Sequence, residues 1–263
     1  MICNNCFSEH WEEVFIYFGP DKYEKYCGLD YVWRRWNKCV ECGHYQSESD
    51  YDLEKLMPVY GGYRSEPFRG VPIREQFSSV MALPNHLREN HSRVNWLNLN
   101  LDRYANMTVL DVGSGFGVFP HELRSIGFKV TCTEINDESL EFLSKELGFK
   151  CVNGDPDVDH FGKYGIVTMV HVLEHMQSPS LFLNAYRKYL SHNGHIFIEV
   201  PDSLEFGYLP KDHDEFNSCH LNFFSVPSLT SIVERSGFTV KMVERFYHSA
   251  RNLSRIRLIG RKS

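Results

Sequence analysis

No stretch of the 263-residue chain approaches the ~18–20 consecutive apolar residues that a membrane-crossing helix needs. The opening residues, Met1-Ile2-Cys3-Asn4-Asn5-Cys6, lack a basic region followed by an apolar run. A secretory signal is therefore not expected, and the cytoplasm is the expected location. An excess of basic residues is also missing. Lys and Arg number 28 against 34 Asp and Glu, a formal net charge of −6. Proteins that bind nucleic acid without sequence preference neutralise phosphates and are usually basic, so this balance disfavours DNA or RNA as the partner. Internal repeats and low-complexity tracts are absent too. What remains is a chain 42 % hydrophobic and 24 % charged, long enough for one domain with a large core and a small accessory module.

Cysteine is not scarce. Eight cysteines without a secretory signal point to metal or free thiols rather than disulfides. Four are paired by spacing, Cys3/Cys6 and Cys39/Cys42, with 32 residues between the pairs. Two such knuckles can close a tetrahedral four-thiolate zinc site with no open position, which makes the metal structural. Gly43 relieves the turn after the second pair. A module of about 45 residues has too small a core to fold well alone, and a metal supplies what the core lacks. Four free thiols at coincidental spacing are the alternative, and His10, Cys27 or His44 can stand in as a ligand. Cys132 and Cys151 sit in apolar strand-like runs and read as inert core thiols.

Residues 1–46 form this first unit, with strand-like Val14–Phe18 and Tyr31–Trp33. Residues 47–100 are a connector rich in Gly and Pro followed by helices, with Val80, Leu83, Leu87, Val94 and Leu97 at helical spacing. From 101 to 263 strands and helices alternate. The expected strands are Met107–Val112, Lys129–Glu134, Phe149–Val152, Ile166–Val170, His195–Val200, Thr239–Phe246 and Ser254–Ile259. The expected helices are Val118–Ser125, Glu138–Leu147, Leu181–Leu190 and Pro227–Ser236. The alternation predicts an α/β fold, a Rossmann-like doubly wound sheet. The last two strands, with no helix between them, should pair as an antiparallel hairpin.

The most informative segment is Val109-Leu110-Asp111-Val112-Gly113-Ser114-Gly115-Phe116-Gly117. An apolar strand feeds three glycines at alternate positions and then a helix. Glycines let the backbone turn sharply and approach a ligand where a Cβ would clash. A dinucleotide fingerprint is G-x-G-x-x-G, whereas here the third glycine comes one residue early. Asp111, two residues before the first glycine, suits a cationic ligand end better than a pyrophosphate. Glu134 ends the next strand, where an acidic side chain can accept from both ribose hydroxyls.

On these residues, about 85–260 resemble the class I S-adenosylmethionine (SAM)-dependent methyltransferases. The first motif of that family is written here as LDVGSGFG, its acidic residue after the second strand is Glu134, its adenine-side acid matches Asp155, and its fourth-strand motif appears as Val170-His171-Val172-Leu173-Glu174-His175. The resemblance implies a seven-stranded sheet and a SAM site formed by Asp111, Gly113, Ser114, Gly115, Gly117, Glu134, Ile135, Asp155 and His171. His171, Glu174 and His175 bring metal-ligand types within five residues. The same run fits the strand-to-helix turn of the family, where such residues pack beside the cofactor, and that reading is preferred.

A zinc module ahead of such a domain resembles a group of sugar methyltransferases acting on nucleotide-linked deoxysugars. The resemblance implies a saccharide acceptor, as in surface-polysaccharide or secondary-metabolite synthesis. The run His220-Leu221-Asn222-Phe223-Phe224-Ser225 resembles their C-methylation motif, in which the matching histidine is the proposed general base. The tyrosine and glutamate that usually precede it are Asn217 and Cys219 here, which leaves O- and C-methylation both open. His213 is the second candidate base. The alternative acceptor is RNA, docked by the zinc ribbon through Arg34, Arg35 and Lys38 beside Tyr31, Trp33 and Trp36.

Overall fold

The structure is a computed structural model that describes residues 1–20, 33–49, 70–101, 107–154, 162–248 and 253–263. In chain order the elements are β1 Trp11–Phe18, β2 Trp33–Cys39, β3 Tyr45–Ser49, α1 Ile73–Met81, α2 Glu89–Asn100, β4 Thr108–Val112, α3 Val118–Ser125, β5 Lys129–Glu134 and α4 Asp137–Glu141. There follow β6 Lys150–Asn153, β7 Tyr164–Val170, α5 Pro179–Arg187, β8 Leu190–Pro201, β9 Asn222–Phe223, α6 Val226–Arg235, β10 Phe238–His248 and β11 Leu253–Lys262. Seven strands make one sheet in the order β10-β11-β8-β7-β4-β5-β6, and β1-β2-β3-β9 make a second. The predicted α/β class and seven-stranded sheet are therefore present, with the last two strands adjacent at one edge. Among the described residues no helix is long and apolar enough to cross a membrane.

The chain divides into two compact units. One comprises Gly61–Val170, Ala185–Phe197 and Arg261–Ser263. Its strands β4 and β7 are continuous apolar runs, as parallel strands covered on both faces must be. Val109, Leu110, Ile166, Val167 and Met169 are fully buried. Strand β4 pairs in parallel with β5 on one side and β7 on the other. The chain thus leaves β4 in one direction, runs through β5 and β6, and returns to its other flank. In open α/β sheets ligands bind at the carboxyl end of the strand where the order reverses, which here is β4.

The second unit comprises Met1–Tyr60, His171–Asn184 and Ile198–Gly260. These units are cut differently from the sequence boundaries at 46 and 100. The N-terminal sheet takes β9, from far along the chain, as its fourth strand, with Tyr45 opposite Phe223 and Gln46 opposite Asn222. Trp36, Phe206, Phe216 and Phe223 form its core, with Phe15, Tyr17 and Tyr45 packed against them. Phe206 stacks on Tyr45 with centroids 4.0 Å apart and on Phe15 at 5.2 Å.

Several boundaries differ from the sequence reading for identifiable reasons. Helices α1 and α2 are separated by an irregular stretch around Pro84, so Leu83 and Leu87 are exposed while Val94 and Leu97 are buried. The helix expected over 138–147 becomes a π-helical turn at Phe142–Glu146. The helix expected to reach Leu190 stops at Arg187, because Leu190 already begins β8. Residues 31 and 32 of the expected second strand lie outside the described residues.

Truncating a fully buried aromatic side chain removes its transfer free energy and leaves a cavity, together about 3–5 kcal/mol. Phe206→Ala is expected to lower stability by about that amount in urea unfolding followed by tryptophan fluorescence. A loss under about 1 kcal/mol would show that the cluster is not a cooperative core.

Candidate functional site

In the first unit the predicted loop folds as its glycines require. Gly113, Gly115 and Gly117 all have positive φ, at 68°, 55° and 84°. At Gly117 a Cβ would also lie 2.6 Å from Leu147 Cδ1. At Gly115 the Cβ direction meets nothing within 4 Å, so the loop backbone borders open space. Glu134 closes the loop from the end of β5. Its Oε2 accepts from the Gly115 N–H at 2.7 Å and its Oε1 from the Ile135 N–H at 2.8 Å. Oε1 also takes the Asn136 N–H at 3.4 Å, which leaves one lone pair on Oε2 for a ribose hydroxyl. Ser114 is buried, and its Oγ donates to the Asp111 carbonyl at 3.1 Å.

Asp111 is buried, and Thr168 Oγ1 donates to its Oδ1 at 2.7 Å. Burial pushes its carboxyl up from 3.8 to about 7, against the opposing pull of that hydrogen bond. A carboxylate so poorly compensated is suited to a cationic partner. Sequence reasoning missed Thr168, and also Tyr186, whose hydroxyl donates to the Gly154 carbonyl at 2.7 Å. Asp155 lies outside the described residues.

The second unit holds the candidate histidines His171, His213 and His220. His171 follows β7 with φ 54°, a strained value for a side-chain-bearing residue. Its N–H donates to the Glu199 carbonyl at 2.9 Å, and its Nδ1 lies 3.1 Å from Glu174 Oε1. Glu199 is fully buried and takes a 2.7 Å bond from Arg257 Nε. The resemblance assigned His171 to the cofactor. In the structure its ring lies between two carboxylates, with Nε2 3.6 Å from Glu199 Oε1.

His220 Nδ1 donates to the Glu215 carbonyl at 2.6 Å, which leaves the lone pair of the neutral ring on Nε2. Burial holds its pKa below the usual imidazole range. Glu215 is in turn held by Arg255 Nη2 at 2.7 Å. His213 is placed differently. Its Nδ1 accepts the Glu215 N–H at 3.2 Å and caps a short turn, so its lone pair is already used. The residues that replace the usual tyrosine and glutamate serve the loop. Asn217 Oδ1 accepts from the Cys219 N–H at 2.8 Å, and the Cys219 carbonyl accepts from His175 Nδ1 at 2.7 Å.

The paired cysteines converge. Cys3 and Cys42 sulfurs are 3.6 Å apart and those of Cys6 and Cys39 3.4 Å, and all four lie within 4.8 Å of one another. These distances exceed a disulfide bond of about 2.05 Å. They approach the ~3.8 Å edge of a tetrahedron with 2.3 Å zinc–sulfur bonds. His44 lies outside this cluster of four sulfurs: it is fully buried and its Nε2 donates to Asn222 Oδ1 at 3.1 Å. His10 is exposed beside Glu41, and Cys27 lies outside the described residues. Of the basic–aromatic cluster proposed for RNA, Tyr31 lies outside the described residues and three members have internal partners. Arg34 is buried against the Phe216 carbonyl, Trp36 is in the core, and Arg35 pairs with Glu48 at 2.7 Å.

The raised carboxyl of Asp111 has a stability consequence. Because its folded pKa lies above the unfolded value, the native state loses stability as pH rises from about 4 to about 7. Asn at this position can still accept from Thr168 and carries no charge. Asp111→Asn is therefore expected to gain in urea midpoint over the unsubstituted chain between pH 5 and pH 8. A constant difference across that range would contradict the assignment.

The family profile described as a methyltransferase domain matches residues 86–243. The chain is 29% identical over 121 residues to a ubiquinone biosynthesis O-methyltransferase of Proteus mirabilis (strain HI4320), covering 43% of this chain and 49% of that one. To the protein of the same name from Caulobacter vibrioides it is 22% identical over 135 residues, 48% and 50% of the two chains. The chain thus spans about half the length of the curated relatives it matches. Among solved structures it is similar to magnesium protoporphyrin IX methyltransferase of Synechocystis PCC 6803 with bound SAH, at TM-score 0.58 and 17% identity, over 78% of this chain and 98% of that one. It is also similar to 1,6-didemethyltoxoflavin-N1-methyltransferase of Burkholderia thailandensis, at TM-score 0.56 and 15% identity, over 85% and 97%. These two likenesses show the fold. The profile match covers more than half the chain, and with it the chain belongs to the methyltransferase-domain family.

Proposed function

We propose that the protein is a SAM-dependent methyltransferase that acts on a hydroxyl of a small polar acceptor. The observation that carries the reading is the loop of Gly113, Gly115 and Gly117 braced by Glu134, with the buried carboxyl of Asp111 behind it. The residues present fit the cofactor: a buried acid for the ammonium end, a carboxylate with a lone pair left on Oε2 for the ribose, and bare backbone at Gly115. Asp155 and His171 complete the assignment by resemblance. SAM supplies an activated methyl group that is displaced in line from sulfur. The chain has to orient the acceptor and promote loss of its proton. His220 is assigned that second task, because its Nδ1 is fixed by Glu215 and its lone pair faces away on Nε2. His213 lacks that freedom.

Oxygen is preferred over carbon as the methylated atom. The curated relatives are named O-methyltransferases, and the tyrosine and glutamate of the C-methylation motif are Asn217 and Cys219. A saccharide is the proposed acceptor class, supported by the cysteine pairs and by the His220–Ser225 run. The four thiolates are proposed to hold one structural Zn²⁺, which the closeness of the sulfurs supports. The corresponding arrangement is a zinc-binding segment at 1–46, helices within 47–100 and a methyltransferase region at 101–263.

Calorimetry with S-adenosylhomocysteine tests the first part. The chain should bind it, and Asp111→Ala should weaken binding at least tenfold, about 1.4 kcal/mol. No binding would end the transferase reading. With an acceptor found by screening nucleotide-linked sugars, His220→Gln should lower kcat by about 10²–10⁴ while S-adenosylhomocysteine affinity stays within about twofold. Elemental analysis should find one zinc per chain, lost in Cys39→Ser; zinc-free protein of unchanged stability would refute the metal.

A further inference from the structure

Cys132 and Cys151 stand side by side in the unit that carries the glycine loop. Strands β5 and β6 run parallel, and their register puts Cys132 opposite Cys151. Register partners point their side chains to the same face of a sheet. Neighbouring strands lie about 4.7–4.9 Å apart, inside the Cα separation of about 4.4–6.8 Å that a disulfide spans. Both residues are free thiols in the structure. Cys132 has no exposed surface and forms a small core with Leu143 and Phe149, against which Cys151 packs. Cys151 is only half-buried, because β6 is the last strand of the sheet. Its Sγ donates to the Phe149 carbonyl at 3.7 Å.

The two thiols are not equivalent. The neighbouring sulfur and burial push the Cys132 thiol up, and hydrogen bonding with Cys132 pulls that of Cys151 down. Thiolate character and access to solvent thus fall on the same residue, Cys151, with a protected second thiol beside it. The pair also supports the loop. Leu143 and Leu147, which pack with the two cysteines, are the side chains that crowd Gly117, at 2.8 and 2.6 Å from where its Cβ would be. On its other side Cys132 is the register partner of Asp111. The Ser114 N–H donates at 2.9 Å to the carbonyl of Thr133, the residue after Cys132. A displacement of the Cys132 sulfur therefore reaches the loop through packed side chains and through β5 itself.

We propose that Cys132 and Cys151 are a redox modification site, which hydroperoxides convert to a disulfide that weakens cofactor binding at the glycine loop. The bridge needs only the two cysteines; its effect on binding rests on the transferase reading. The Cys151 thiolate attacks one peroxide oxygen. The sulfur–oxygen bond forms, the oxygen–oxygen bond breaks, and the departing hydroxide takes up a proton to leave as water. The Cys132 sulfur then attacks the sulfenic acid sulfur of Cys151. The sulfur–sulfur bond forms, the sulfur–oxygen bond breaks, and the released hydroxide leaves as a second water with the Cys132 proton. Two thiols are oxidised by two electrons and one peroxide is reduced by the same two. Closing the bridge to about 2.05 Å draws the Cys132 sulfur toward β6 and away from Asp111, and the leucines against Gly117 must repack around it.

Hydrogen peroxide is the probe. The full chain, with any bound metal left in place, is oxidised, alkylated with iodoacetamide under denaturing conditions, digested and mapped by mass spectrometry. A cross-linked peptide pair joining Cys132 to Cys151 should appear, and dithiothreitol should abolish it. Calorimetry on the oxidised chain should show S-adenosylhomocysteine affinity lowered at least about fivefold, and restored by dithiothreitol. Cys151→Ser should form no such bridge and should keep its affinity within about twofold through the same treatment. Cys151→Ala is the second variant, with urea unfolding as the check on folding for both. Peptides that carry Cys132 and Cys151 only as separate alkylated thiols would overturn the site, and in a chain that binds S-adenosylhomocysteine would leave the transferase reading standing. A bridge that leaves the affinity unchanged, or a loss of affinity that persists in folded Cys151→Ser and Cys151→Ala, would overturn its control of the loop. A bridge in a chain that binds no S-adenosylhomocysteine in either redox state would support the site and sink the transferase reading instead.

Discussion

The side-chain amide of Asn222 ties together the parts of its compact unit that carry chemistry. The residue has no exposed surface. Its Oδ1 accepts from His44 Nε2 at 3.1 Å and from Asn4 Nδ2 at 3.2 Å, and its Nδ2 donates to the Met176 carbonyl at 2.7 Å. These bonds join the first cysteine knuckle, the segment just past the second and the turn that follows Glu174 and His175. Asn222 is also one of the two residues of β9, two positions after His220. A buried amide left half-satisfied costs about 1–3 kcal/mol, so each of these segments constrains the others. The position of His220 thus depends on a network that begins at the N-terminus.

Three buried carboxylates show how differently a negative charge is met in this protein. Glu199 is neutralised by Arg257, a pairing complete within the fold. Asp111 has a hydroxyl donor and is otherwise met by a proton near neutral pH. Glu174 has His171 on one oxygen and, among the described residues, no hydrogen-bond partner on the other, and burial pushes its carboxyl up to about 8. Burial of an uncompensated acid is costly, and such groups concentrate where a ligand supplies the missing charge. Neither Asp111 nor Glu174 has, among the described residues, a hydrogen-bonded guanidinium like the one that meets Glu199, and for Asp111 the proposed partner is the ammonium end of the cofactor.

Much of this was legible in the sequence. Strands β4 and β5 and helix α3 announce themselves by apolar runs and by glycines that take positive φ, and the four cysteines by spacing. The loop acids Asp111 and Glu134 were found because they sit at fixed offsets from a recognisable strand. Other features leave no local trace. Strand β9 is two residues long, too short for any periodicity to register. The approach of His220 to Glu174 and His175 joins positions more than 40 residues apart, and adjacency in the chain instead drew attention to His171 with Glu174 and His175. Helix α5 ends early because pairing in β8 outcompetes a helical pattern that was locally adequate.

The completion of the N-terminal sheet by β9 has a consequence for how such a chain can change over time. The segment carrying the cysteines cannot be exchanged as a cassette between proteins, because its last strand and much of its aromatic core, Phe206, Phe216 and Phe223, are encoded after residue 200. A recombination that replaced residues 1–49 alone would have to reproduce the partners of Asn222 and the surface that meets Trp36. Variation in this protein should therefore travel in two linked blocks, one at the start of the chain and one around 202–224, inherited together although far apart in the gene.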